Sequence, residues 1–195
     1  MDKPQGQRTC LYSTSDLDAV LADMARQAAG LLTGRKQIVI VGLLRRGAPL
    51  AEMLHDRLAR DYGLSNLPLY KLHVKRYADD LTLLHPETEL TESAEQTALD
   101  LTNATVMVVD DVLYRGHSLL KAVEYLAGKN PMEIRTVVLV DRGVTLLPIR
   151  ADITGMRLDV APQDIIECNV PPYEAEFRID LLRPDITLKS KKPAA

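Results

Sequence analysis

The segment Gln37–Leu44 (QIVIVGLL) constrains the fold more than any other, because it is rich in β-branched residues and apolar at both odd and even positions. A strand with one wet face alternates polar with apolar, and a helix needs a longer run, so this pattern predicts a strand covered on both sides of a parallel sheet. Thr105–Asp110 (TVMVVD) and Ile134–Val140 read as two further buried strands. Leu50, Ala51, Leu54 and Leu58 follow the first at helical spacing and stop near Gly63; Leu119, Leu120, Val123 and Leu126 follow the second and stop at Gly128. Ser15 with Asp18 predicts the cap of a leading helix that continues through Leu17, Leu21, Met24, Ala28 and Leu32 to Gly34. Strands alternating with helices predict an α/β fold: a central parallel sheet flanked by helices, with ligands bound outside the carboxyl ends of the strands.

Later strands are expected at Ile165–Val170 and Glu176–Leu182, separated by the bend of Pro171-Pro172. Ala78–Asn103 has little periodicity and reads as a long exposed loop, a kind of segment that in compact domains is more often functional than decorative. With 195 residues, 46% apolar and 26% charged, residues 1–188 fit one domain, and the basic Lys189–Ala195 (KSKKPAA) reads as a frayed tail. The longest apolar run, Ile38–Leu44, spans seven residues, against the roughly 20 that a membrane helix needs. The polar Met1–Thr9 has no apolar stretch behind it, so a cytoplasmic protein without membrane contact is expected. Cys10 and Cys168 stand far apart, with no metal-ligand spacing around them. A net charge of -3, one Phe and no Trp argue against a protein built mainly to coat nucleic acid, while leaving a local basic patch open.

The chemistry concentrates in Val106–Leu120 (VMVVDDVLYRGHSLL), where two adjacent carboxylates meet a glycine-bearing turn that opens a helix. The backbone N–H groups of Arg115, Gly116, His117 and Ser118, together with the helix dipole, suit a phosphate. Asp110 and Asp111 would repel that phosphate, but they can accept bonds from vicinal hydroxyls and attract Mg²⁺-bound water. A ribose next to a phosphate satisfies both halves. No Walker loop and no G-x-G-x-x-G follows any strand, which sets aside P-loop ATPases and Rossmann dehydrogenases.

This segment resembles the 5-phosphoribosyl 1-diphosphate (PRPP) motif of type I phosphoribosyltransferases. Within that superfamily VVDDVLYRGHS, VVLVDRGVTLLPIRADITG at Val137–Gly155, YADDLT at Tyr77–Thr82 and VGLLRRGAPLAEML at Val41–Leu54 are most similar to the pyrimidine operon attenuator and uracil phosphoribosyltransferase group. The resemblance implies the type I fold, with a small hood and a flexible loop over a central parallel sheet. It implies that Asp110 and Asp111 hold the ribose hydroxyls and that Tyr114, Arg115, Gly116, His117 and Ser118 surround the 5′-phosphate. Arg45, Arg46 and Gly47 would bind the diphosphate, with Arg46 catalytic beside the acidic pair and a non-proline cis peptide expected at Arg45-Arg46. Arg142 and Ile149 would lie on the base side, Arg76, Tyr77, Asp79 and Asp80 on the flexible loop, and Asp110, Asp111 and Asp152 around Mg²⁺.

The implied activity is Mg²⁺-dependent transfer of phosphoribose from PRPP to a nucleobase. Purine enzymes place a base-reading lysine ahead of the strand at Arg135–Val140, where this chain has Ile134-Arg135, so uracil is favoured. A nucleotide-sensing regulator that binds RNA and a purine-type enzyme (hypoxanthine or guanine) stay open as alternatives, and a homodimer or larger homo-oligomer is implied. The chain departs from the family pattern at Arg115, which replaces a hydroxyl residue, at His117, at Ser118 and at Ala78. Whether Arg115 adds a phosphate contact or obstructs the loop depends on a side-chain direction that the sequence does not set.

Overall fold

A computed structural model describes residues 5–75, 89–91 and 100–185. Strands β1 (Gly6–Tyr12), β2 (Ile38–Leu44), β3 (Leu69–Lys75), β4 (Glu89–Thr91), β5 (Thr105–Leu113), β6 (Glu133–Asp141), β7 (Ile153–Arg157), β8 (Ile165–Asn169) and β9 (Arg178–Pro184) alternate with helices α1 (Thr14–Leu32), α2 (Gly47–Tyr62) and α3 (His117–Ala127). The central sheet has the order β4-β3-β2-β5-β6-β7. Its neighbours from β3 to β7 pair in parallel, and β4 adds an antiparallel edge against β3.

Both faces of this sheet are covered, as the unbroken apolar pattern of β2 requires. Ile38 and Ile40 pack with Leu21, Met24 and Ala28 of α1 and Leu54 and Leu58 of α2. Their neighbours Val39, Val41 and Leu43 point the other way, into a second cluster with Leu119, Ala122 and Leu126 of α3. This period of two along one strand divides the interior into two apolar layers.

A separate antiparallel sheet, β1-β9-β8, forms the hood. Ile166, Cys168, Phe177, Ile179 and Leu181 join it to the α1/α2 layer, and Thr14 Oγ1 donates to Phe177 O at 2.9 Å. The sequence does not announce β1, because its five central residues are exposed and no apolar alternation marks it.

Several boundaries differ from the sequence reading. The cap of α1 is Ser13, not Ser15: Asp16 N donates to Ser13 Oγ at 3.4 Å and Ser13 N to Asp16 Oδ2 at 2.9 Å, a reciprocal capping box two residues earlier. Strand β5 does not end at Asp110; it runs on through Asp111, Val112 and Leu113, which pair in register with β6. The expected exposed loop ends earlier than Asn103, since Leu101 is fully buried in the α3-side layer, and β4 lies within the expected span. Arg76, Tyr77, Asp79, Asp80 and the Lys189–Ala195 tail lie outside the described residues.

Candidate active site

The carboxyl ends of β2, β5 and β6 bring three turns together. Asp110 and Asp111 sit on β5 with side chains that are half-buried, and Asp111 N donates to Asp110 Oδ1 at 2.9 Å. Burial first, then the charge of Asp111, pushes the Asp110 carboxyl well above the usual carboxylate range. Asp111 is also raised by burial, opposed by its bond with Asp110 and by the positive charge of Arg46. Two such carboxyls ionise together only if donors or a cation face them. Among the described residues no third His, Cys, Asp or Glu joins them. The pair therefore fits Mg²⁺ in the manner of a cation that keeps its water and takes one or two carboxylates plus substrate oxygens.

Gly47, at the start of α2, leans against this pair. A Cβ there would lie 2.7 Å from Val109 O, 2.9 Å from Asp110 Cα and 3.2 Å from Asp110 Oδ1, so only glycine lets the turn after β2 approach the acidic pair so closely. That turn contains a non-proline cis peptide between Leu44 and Arg45, one bond earlier than the Arg45-Arg46 position expected.

Tyr114, Arg115 and Gly116 form the turn after β5. Gly116 has φ +88°, and a Cβ on it would come within 2.6 Å of Ile149 Cγ2. Helix α3 begins at His117, and its first intrahelical bond is Leu120 N to Gly116 O at 2.9 Å. The amides ahead of that bond form the helix's positive end, as an anion site needs. The exposed Arg115 guanidinium lies over the ring of its neighbour Tyr114, 5.2 Å from the centroid.

The connection from β6 to β7 braces this turn residue by residue. Arg142 N donates to Leu113 O at 3.0 Å, the Arg142 guanidinium lies 4.6 Å from the Tyr114 ring centroid, Leu146 N donates to Arg115 O at 3.1 Å, and Ile149 abuts Gly116. Arg142 is 2% exposed; its Nη2 donates to Asp164 O at 3.0 Å, while Nε and Nη1 are buried without a hydrogen-bond partner. Burial lowers its pKa. Arg142 and Ile149, expected on the base side, thus contact the turn after β5 directly.

Two sequence expectations concern residues that the fold sets apart. Asp152 precedes β7, two strands from β5 or about 10 Å across the sheet, and its carboxylate accepts from Thr136 N at 2.7 Å and Arg135 Nη1 at 3.1 Å. The structure does not bring it to the acidic pair. Ile134-Arg135 lies at the start of β6, opposite the ligand-binding edge, where Arg135 pairs with Glu133. The missing lysine there consequently says nothing about the base.

The sequence reading passed over Tyr173 and Glu174 in the hood turn after β8. Arg46 gives Nη2 to Glu174 Oε1 at 2.6 Å and Nε to Oε2 at 3.3 Å, while Arg45 lies 5.1 Å over the Tyr173 ring. Cys168 is buried close enough that Asp111, Asp110 and Glu174 add to the burial that raises its thiol pKa. Only the Pro171-Pro172 bend, cis in the structure, hinted that the chain returns here.

A family model described as phosphoribosyl transferase domain matches residues 11–176. The chain belongs to that family, as a type I phosphoribosyltransferase and hence a pentosyltransferase. It is 36% identical over 147 residues to the "Bifunctional protein PyrR" of Actinobacillus pleuropneumoniae serotype 5b, covering 75% of this chain and 80% of that protein. It is 33% identical over 179 residues to the protein of the same description from Chloroflexus aurantiacus, covering 91% and 97%. Among solved structures, the hypoxanthine phosphoribosyltransferase of Trypanosoma cruzi in complex with IMP shares the fold with a TM-score of 0.72 at 16% identity, covering 94% of this chain and 98% of that one. A hypoxanthine phosphoribosyltransferase from Staphylococcus aureus gives 0.70 at 19%, covering 90% and 93%.

Proposed function

We propose that the protein transfers the phosphoribosyl group of PRPP to uracil, yielding UMP and diphosphate, with Mg²⁺ as cofactor. The observation that supports this best is the Asp110–Asp111 pair at the end of β5, approached by Gly47 on one side and followed by the Gly116 turn and the α3 N-terminus on the other. The two carboxylates accept hydrogen bonds from the ribose hydroxyls. The turn from Tyr114 to Ser118 receives the 5′-phosphate through backbone N–H groups and the Ser118 hydroxyl. Arg45 and Arg46 meet the diphosphate, whose oxygens match guanidinium forks.

In the reaction the C1–O bond to diphosphate breaks as C1 bonds to a ring nitrogen of the base, through a transition state with oxocarbenium character, and the ring N–H proton passes to water. Asp110 and Asp111 would hold Mg²⁺, which would supply neutralising charge for the departing diphosphate. The chain's own contribution is positioning and charge complementarity. Uracil as acceptor and a homo-oligomeric state rest on the sequence likeness to the attenuator and uracil phosphoribosyltransferase group. The purine-enzyme structures, below 25% identity, speak for the fold and not for the base.

PRPP, Mg²⁺ and uracil should give UMP, with hypoxanthine and guanine as poor acceptors and the Asp110→Asn, Asp111→Asn double variant inactive. Absence of product from all three bases would refute the transferase assignment, and preference for a purine would refute uracil. A second role, binding RNA in response to nucleotides, is favoured by the sequence likeness to the pyrimidine operon attenuator group, whose members matched here are described as bifunctional. It predicts an RNA mobility shift that weakens with salt and strengthens with UMP; an RNA affinity indifferent to UMP would count against it.

A further inference from the structure

Arg45 and Arg46, consecutive residues of the turn after β2, are met by Tyr173 and Glu174, consecutive residues of the hood. The Arg46–Glu174 pair is sheltered, with side chains 18% and 11% exposed, and both guanidinium nitrogens that face Glu174 are engaged by its two oxygens. Glu174 is itself held, since Val170 N donates to its Oε2 at 3.0 Å. Two carboxylate oxygens on a planar guanidinium fork form the same arrangement as two oxygens of a phosphate. The anion that the hood places on Arg46 therefore has the shape and charge of the one the turn is expected to receive.

We propose that Glu174 is an internal competitor for diphosphate: it occupies the Arg46 fork until the diphosphate of the substrate displaces it, and so sets the affinity for that group. The inference rests on reading Leu44–Gly47 as the diphosphate turn. Exchanging one anion for another on the same guanidinium leaves only the difference between two charge-assisted contacts as binding energy. The Glu174 carboxylate must then be rehydrated, and the Pro171–Glu174 turn gives up its hold on the turn after β2. Glu174 thereby governs how tightly the leaving group is held, without itself touching the reacting atoms.

The probe is inorganic diphosphate in the presence of Mg²⁺, titrated calorimetrically into the wild-type chain, Glu174→Gln, Glu174→Asp and Arg46→Ala. Glu174→Gln keeps an acceptor for Val170 N but surrenders the charge, and it should bind diphosphate about 10-fold more tightly, equivalent to about 1.4 kcal/mol. Glu174→Asp, whose shorter side chain withdraws from the fork, should move in the same direction by a smaller factor. Arg46→Ala should bind more weakly than wild type, and adding Glu174→Gln to it should restore nothing. Equal or weaker binding in Glu174→Gln, with measurable binding in the wild type, overturns the competitor role and leaves the diphosphate turn standing. No binding in any of these chains overturns the assignment of the turn as well.

Discussion

Replacing Gly116 by alanine tests the packing of the turn after β5. Two costs add. At φ +88° an L-residue stands in the left-handed region, a penalty of about 1–2 kcal/mol. The new Cβ would also lie 2.6 Å from Ile149 Cγ2, whereas carbon atoms rest at about 3.5–4.0 Å. The turn cannot easily retreat, because the bonds Arg142 N–Leu113 O and Leu146 N–Arg115 O hold it against the β6–β7 connection on either side. Overpacking of this kind costs about 1–3 kcal/mol, so Gly116→Ala should destabilise by about 2–5 kcal/mol. Ile149→Ala removes the obstructing methyl and costs about 2–4 kcal/mol by itself, since Ile149 is nearly buried. In that background Gly116→Ala should retain only the backbone penalty. The two substitutions should therefore couple favourably by about 1–3 kcal/mol, measured as urea midpoints at constant slope in a double-mutant cycle. Equal cost of Gly116→Ala in both backgrounds, within about 0.5 kcal/mol, would refute the account.

Two further outcomes follow from ionisation. Burial and Asp111 raise the Asp110 pKa, so its contribution to stability is present when protonated and is lost as pH rises through the folded value. Asp110→Asn should then melt higher than wild type at pH 7 while losing transferase activity, and the gain should vanish below pH 3.8, where both chains are neutral at this position; a lower melting point at pH 7 contradicts it. Glu133 is the opposite case: bonds from Arg35, Thr105 and Arg135 hold its pKa down to about 2 from 4.5, so its stabilisation is full above 4.5 and disappears as pH falls toward 2. Glu133→Gln should cost about 1 kcal/mol at pH 7 after allowance for solvent screening, with the two chains converging in acid; a pH-independent difference in denaturant midpoint would rule this out.

What could be read from the sequence was whatever local chemistry determines. The both-parity run in β2 marked a buried parallel strand, and the Asp110–Ser118 segment announced its strand, turn and helix because each residue type there answers a requirement of its neighbours in the chain. Strand β1 escaped because an exposed edge strand has no apolar period to display. Ile134-Arg135 stands at the start of its expected strand, the end away from the ligand edge, so its place was legible and only its weight was misjudged; Asp152 depends on the pairing of β6 with β7, which no spacing reveals. Glu174 had no local signal at all. Its meaning depends on a contact across 128 positions of chain with Arg46.

The brace between the β6–β7 connection and the phosphate turn bears on how such a site can be re-engineered. Exchanging segment 142–150 to change which base is accepted would also remove the guanidinium and the methyl group that pack on Tyr114 and Gly116, and would shift the main chain whose N–H groups bond Leu113 and Arg115. On the proposed assignment of these residues, acceptor preference and sugar-phosphate affinity are not separable modules in this chain. A graft that ignores the shared border would be expected to surface first as a poorer grip on PRPP, whatever base it was designed to admit.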